Sequence, residues 1–307
     1  MTAFKDFLGN FQVGVKEKNV ALVLGNGINM YSDPAAPRKT WNTMMTQIWT
    51  NLLNKTRSVV PNGITYTEFY DICALVIDTK LLRNHIVSFV QNTYLPTNYT
   101  QMLVPRLKQI DVPVLTTNFD HCLEDGTMKK RIMKLSNGKP SGFSYFYPWC
   151  SYYAENVLAS PLEGFGVWYI NGTIDYPKSI RLGLSEYMGL GSQLRKAIFD
   201  LFQAREKYGN NYENYWDKAN TWLNILFHKS ICICGLGLDT NEPVLRWLLI
   251  ERQRYIKQFN LPGMKGWFLT DRKIKDGQQL FLDSVGFEVV QASWKQMYEN
   301  LFGVKMP

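Results

Sequence analysis

Histidine is nearly missing from this sequence. Only His85, His121 and His228 occur in 307 residues, which leaves few imidazoles for acid–base work. Cysteine is sparse as well. The five present, Cys73, Cys122, Cys150, Cys232 and Cys234, are odd in number and irregular in spacing. That excludes a disulfide scaffold and suits reduced thiols. Cys232 and Cys234 form a C-x-C in an apolar stretch, where alternate strand residues face one way, so both read as core. A second close pair is lacking, which excludes a structural zinc site, and no metal is expected. Long apolar runs are also absent. The most apolar stretches, Val20–Leu24 and Ile231–Gly237, fall far short of the roughly 20 residues a membrane span needs. Met1 to Phe11 carries Lys5 and Asp6 and no small-residue cleavage site, so the expectation is a soluble cytoplasmic protein without a membrane partner.

What is present describes an ordinary globular chain. Hydrophobic residues make up 46% and charged residues 20%, and 307 residues suffice to bury a large core without staples. The expectation is a single domain over residues 1–307. Lys+Arg exceeds Asp+Glu by 34 to 26, a net charge of +8. The excess gathers at Lys129, Lys130, Arg131 and Lys134, at Arg252, Arg254 and Lys257, and at Arg272, Lys273 and Lys275. These read as solvated faces or as attraction to a phosphate-bearing ligand, with nucleic acid only weakly supported.

Helical spacing marks Ala3–Val15, Trp41–Leu53, Tyr66–Ile77, Leu81–Tyr94 and Tyr99–Ile110. The last four predict a helical insertion over about residues 38–111. Gln193–Tyr208 and Tyr215–Phe227 predict a second helical segment over about 193–228. Glu242–Phe259, Asp276–Val285 and Trp294–Leu301 follow as helices. Continuous apolar runs predict strands at Val20–Leu24, Val112–Thr116, Gly166–Ile170, Ile231–Cys234, Gly266–Leu269 and Phe287–Val290, with a short one at Ile132–Leu135. Continuous rather than alternating runs, separated by helices, point to a doubly wound parallel sheet covered on both faces, an α/β fold.

Ligands in such folds sit at the carboxyl ends of strands. Four of those ends are rich in glycine and short polar residues: Gly25-Asn26-Gly27-Ile28-Asn29, Thr116-Thr117-Asn118-Phe119-Asp120, Asn171-Gly172-Thr173-Ile174-Asp175 and Gly235-Leu236-Gly237-Leu238-Asp239. Each has a local explanation. Glycines serve tight turns; Asn118 or Asp120, and Asp239 or Asn241, could cap following helices. Four such ends in equivalent places imply a shared cleft lined by amides and carboxylates.

The order of these motifs, with Trp41 leading a helix and Ser185-Glu186-Tyr187 between the last two, resembles the sirtuin-like domain of bacterial antiphage defence. The likeness spans about residues 20 to 250, and T-T-N-F-D is its most specific element. The G-N-G start is also similar to an abortive-infection nucleotide-binding family. The resemblance implies a Rossmann-like sheet with a helical insertion that binds NAD and cleaves its nicotinamide–ribose bond, without a metal. It implies contact with the dinucleotide by Gly25, Asn26, Gly27, Asn29 and Thr117. Asn118 would position ribose or water, Asp120 would support that loop, and Gly235, Gly237 and Asp239 would border the adenosine end.

Two departures stand out. Asn26 and Asn29 replace the usual alanine and serine of the opening motif. Asn171 occupies the place of the family's catalytic histidine. An amide orients groups but takes no proton near pH 7. Three readings follow: an inactivated form, a member using another base with His121 nearest in sequence, or a non-catalytic sensor or assembly subunit that binds NAD or ADP-ribose. Protein deacylation is not expected, because the four-cysteine zinc module of deacylase sirtuins is missing. The chain length leaves little room for a fused sensor, and 9 Trp, 17 Tyr and 17 Phe suit interfaces. A homo-oligomer and a separate activator are therefore expected.

Overall fold

The computed structural model describes residues 3–31, 33, 35, 36, 39–133 and 149–306. Pro34, Pro37, residue 38 of the expected insertion, Lys134, Leu135 and the outermost ends of the chain lie outside the described residues.

Helix α1 (Phe4–Lys16) leads into β1 (Val20–Leu24), a V-A-L-V-L run buried at every position. Its side chains alternate between two cores, as the strand period requires. Ala21 and Val23 enter one core, and Val20, Leu22 and Leu24 enter the other. A short turn of helix, α2 (Gly27–Met30), follows. Then come α3 (Trp41–Leu53), α4 (Tyr66–Ala74), α5 (Thr79–Thr93) and α6 (Asn98–Ile110) before β2 (Val114–Thr116). The starts of α3, α4, α5 and α6 are fixed by side-chain caps from Thr40, Thr65, Asp78 and Thr97, each of the type that satisfies otherwise orphaned N–H groups.

These four helices do not form one block. Tyr99, Leu103, Val104 and Leu107 of α6 pack on the sheet with Leu22 and Val114, so α6 is the crossover helix between adjacent parallel strands. Helices α3, α4 and α5 instead build a third core with Phe119, Ile174, Ile180 and Leu182. They form a roof over the strand ends.

Edge strands β3 (Lys129–Ile132) and β4 (Ser151–Ala154) precede β5 (Val167–Tyr169). Helices α7 (Leu184–Tyr208) and α8 (Trp222–His228) lead to β6 (Ser230–Cys234). Helix α9 (Pro243–Gln258), β7 (Gly266–Thr270), α10 (Asp276–Ser284) and β8 (Phe287–Gln291) complete the sheet. The strand order is β3-β4-β5-β2-β1-β6-β7-β8. Six strands, from β5 to β8, are parallel, while β4 runs antiparallel to β5, and β3 to β4. The six parallel strands follow the dinucleotide-binding order of two βαβαβ halves. The α/β fold with helices on both faces is therefore present, and it is Rossmann-like.

Several expected boundaries differ. The third strand lies at Lys129–Ile132 rather than Ile132–Leu135, and β4 was not expected. Helix α7 begins at Leu184, nine residues before Gln193. Residues expected as helix from Tyr215 instead give a short helix from Trp222, after a 3-10 turn at Gly209–Asn214. The final helix is a π-helical turn at Gln296–Asn300. Cys73, Cys122, Cys150, Cys232 and Cys234 are all free, as expected, and all are buried, as expected for Cys232 and Cys234.

One buried cation joins these elements. Arg252 of α9 is 1% exposed. Its guanidinium donates to the carbonyls of Leu226 at 3.0 Å, Lys229 at 2.9 Å and Lys265 at 3.2 Å, binding the end of α8 to the entries of β6 and β7. Burial pushes its pKa down to about 9. Replacement by methionine removes the guanidinium from the Leu226 and Lys229 carbonyls, while Lys265 O keeps Ile231 N–H at 2.9 Å, and each lost partner costs about 1–3 kcal/mol. Arg252→Met should lower unfolding free energy in urea by about 2–5 kcal/mol with an unchanged m-value. A change below about 0.5 kcal/mol, typical of neutral surface sites, would contradict this role.

Candidate active site

The strand order reverses between β1 and β6. From β1 the chain steps to β2 and β5 on one side, and from β6 to β7 and β8 on the other. The two loops at the switch touch directly. Gly27 N–H donates to Gly235 O at 2.8 Å and Gly25 N–H to Cys234 O at 3.0 Å. A Cβ on Gly27 would lie 2.7 Å from Gly235 Cα, and Gly235 has φ +71°, so neither tolerates a side chain. These N–H groups are used by the loop contact.

Above that contact lies one cleft in three parts, all of them lined by Asn26 and Trp41. The inner chamber, about 110 Å³, is faced by Thr117, Asn118, Gly237, Asp239 and Glu242. The outer part, about 490 Å³, runs past Gly27, Gly235 and Gly237 to Arg272, Lys273 and Lys275 after β7. A small recess of about 20 Å³ reaches Phe119 and Asp120. Thus Asn26, Gly27, Thr117, Asn118, Asp120, Gly235, Gly237 and Asp239 line one space. Gly25 lies buried beneath it. Asn29 and Asn171 are buried beside it without lining it.

Buried polar groups support the walls. Asn29 Nδ2 donates to Asp120 Oδ2 at 2.7 Å, and Cys122 N–H donates to Asp120 Oδ1 at 2.9 Å. Burial pushes the Asp120 carboxyl up, and these bonds oppose the rise. Thr116 Oγ1 donates to Leu24 O at 2.9 Å and accepts from Asn118 N–H at 3.1 Å. No helix follows Asp120 directly; it closes a turn instead of capping. Asp239 likewise caps no helix. It accepts from Asn241 N–H at 2.8 Å, while Asn241 Oδ1 accepts from Tyr66 N–H at 2.8 Å. The roof is thereby fastened to the β6 loop. Asn26 Nδ2 fastens it again through Lys39 O at 2.5 Å. Lys39 itself is buried against Asp33 in a 2.5 Å ion pair.

Several buried amide atoms have no partner among the described residues: Asn118 Nδ2, Asn171 Nδ2, Asn26 Oδ1 and Asn29 Oδ1. Such groups are costly when nothing satisfies them. Glu242, which lines the inner chamber with Asn118 and has the Asn171 amide nearby, is the residue that sequence reasoning missed. It was read only as the start of a helix. Its place between a polar strand-end loop and Pro243 was the available signal. Glu242 is 8% exposed and faces the inner chamber. Burial, then the Asp239 charge, pushes its carboxyl up to about 8, while the nearby Asn171 amide opposes the rise without a well-formed hydrogen bond. A carboxyl tuned so close to neutrality is suited to proton transfer. Leu238, buried with φ +48°, holds the loop in a strained left-handed turn of the kind found beside functional groups.

His121 lines no part of the cleft. Its Nδ1 lies 2.8 Å from Glu124 and its Nε2 2.9 Å from Asp175. Burial lowers its pKa, but the two carboxylates outweigh it and raise the value to about 10. His228 is the opposite case. Burial beneath Tyr212 drives it down to about 3, and it bonds Tyr255 Oη at 2.8 Å. His85 is also lowered by burial. The raised His121 pKa stabilises the fold fully below pH 6.5, and that contribution is lost as pH rises through about 10. An NMR titration of the imidazoles should therefore find His121 charged at pH 8 and His228 neutral at pH 5. A His121 midpoint near 6.5 would contradict the double ion pair.

No family model matches the chain, and no curated protein matches it.

Proposed function

We propose that this cleft binds NAD and that the chain hydrolyses its nicotinamide–ribose bond, acting in antiphage defence by depleting the cell of NAD. The defence role rests on the motif resemblance alone. The chemistry is supported by one observation: three of the four polar strand ends converge at the topological switch, where a buried carboxyl, Glu242, lines the inner chamber with the unpartnered amide of Asn118 and has the Asn171 amide nearby. Ligands of doubly wound sheets bind at that place.

In this reading the outer part of the cleft takes the phosphates, and the inner chamber takes the reacting ribose. The C1′–N bond breaks with its electron pair moving onto the ring nitrogen, which discharges the nicotinamide cation. Water adds to C1′ and gives its proton to the Glu242 carboxylate. Asn118 Nδ2 orients the ribose or the water, and the Asn171 amide beside Glu242 favours its ionised form. The products are nicotinamide, ADP-ribose and a proton. The base form of Glu242 increases as pH rises through about 8, so turnover should climb from pH 6 to 9.

Nicotinamide release, measured with NAD binding on the same samples, tests this. Glu242→Gln should retain binding within a few-fold and lose about 10²–10⁴ in kcat, as expected for a lost acid–base group, together with the pH limb. Asn118→Ala should lose turnover too. A parent protein that neither binds NAD nor releases nicotinamide defeats the reading.

A second reading is favoured by Asn171, which offers no proton acceptor where the related family carries histidine. On that reading the chain is a sensor or assembly subunit that holds NAD or ADP-ribose without turnover. Parent and Asn171→His would then both bind nucleotide and stay silent. Activity confined to Asn171→His would mark an inactivated hydrolase.

We also propose that the chain acts as a homo-oligomer in the cytoplasm, switched on by a separate partner. Leu75, Val76 and Met188 are 70% or more exposed where α4 and α7 meet through Ser185 and Asp71, the sort of apolar surface that assembly covers. Among the described residues no helix is long and apolar enough to cross a membrane. Light scattering should show more than one subunit with or without NAD, and a monomer at every concentration would refute assembly.

A further inference from the structure

The cationic groups around the edge strand take no part in the cleft. Lys130 of β3 places Nζ over the Tyr176 ring, 5.8 Å from its centroid. Tyr176 in turn borders an open groove of about 870 Å³ between the start of α5 and the turn after β5. Lys80, Arg83, Lys178 and Arg181 also line this groove, and it shares no lining residue with the cleft.

Its charge is unbalanced. One carboxylate, Asp175, lines the groove among these cations and is engaged by His121 at 2.9 Å, while Glu186 is paired with Arg83. Arg181 donates to the backbone carbonyls of Lys178 and Ile180. Lys80 and Lys178 are exposed. Tyr176, 38% exposed, lines the groove with these cations. An aromatic platform set among cations that follow a groove is the arrangement that binds single-stranded nucleic acid, with phosphates on the cations and a base on the ring. A duplex is a poorer fit, because its bases are stacked and cannot reach one tyrosine.

We propose that this groove is a binding site for single-stranded nucleic acid, with Lys80, Lys178 and Lys130 meeting phosphates and Tyr176 stacking on a base. The site is independent of the NAD reading. It places a nucleic-acid contact on the same side of the molecule as the roof helices, since α5 contributes to both.

Fluorescence anisotropy of the full chain with a labelled short oligothymidylate tests it. Binding should weaken with salt, with a slope in log K of about −0.7 for each phosphate neutralised. Lys80→Gln combined with Lys178→Gln should reduce that slope by about 1.4. Lys5→Gln with Lys16→Gln, the same loss of charge on α1, should change it little. Tyr176→Ala should lose about 5- to 150-fold in affinity, the range for one stacked base. Circular dichroism of each variant verifies folding. No binding at 50 mM salt, a slope unchanged in the groove variant, or equal loss in the α1 control overturns the site. Full affinity in folded Tyr176→Ala overturns the assignment to single strands.

Discussion

The contact between Gly25-Asn26-Gly27 and Gly235 is the constraint on which the rest depends. Strands β1 and β6 are adjacent and parallel, so both chains leave the sheet at the same end and in the same small volume. Side chains there would force the loops apart. With glycine, Gly27 N–H bonds Gly235 O directly, and Tyr298 Oη packs from below. The two halves of the sheet then diverge in sequence order on either side, and the cleft is the space left between their crossovers. The glycines thus serve ligand binding by bringing two loops together, not by offering their own N–H groups.

The same arrangement explains the electrostatics of the site. The cleft floor is backbone already paired, so polarity comes from side chains projecting over it: Asn26, Asn118, Asp239 and Glu242. The inner wall is dry enough to lift Glu242 to about 8, while the outer end opens to Arg272, Lys273 and Lys275. A gradient from a buried acid to exposed cations suits a ligand whose reacting end is a glycosyl cation and whose remainder is rich in phosphate. The roof of α3, α4 and α5 is joined to this floor through Asn241 with Tyr66 and through Asn26 with Lys39, so roof and floor form one structure around the chamber.

Much of this was legible in the residues, for physical reasons. Strands β1 and β6 are buried on both faces and read as unbroken apolar runs. Their ends marked the cleft correctly as a meeting place of polar loops. Strand β4 escaped because Ser151-Tyr152-Tyr153-Ala154 is short and carries a hydroxyl at three of four positions, and β3 because Lys129-Lys130-Arg131 is an exposed edge. Helix α7 was begun too late, since Gly189 and Gly191 resemble a break; both face open space, where a missing side chain costs little beyond propensity. The sequence marked Glu242 only by its place between a polar strand-end loop and Pro243. Its significance arises from burial, and burial is a property of the assembled sheet, roof and α9 together.

The central claim is that a dinucleotide occupies the switch-point cleft. Two-dimensional NMR of the backbone and side-chain amides, recorded during titration with NAD, tests it most directly. The account predicts saturable shifts at Gly237, at the Asn118 and Asn171 side-chain amides and at the Trp41 indole. Shifts confined to surfaces away from these residues, or none at millimolar NAD, would contradict it.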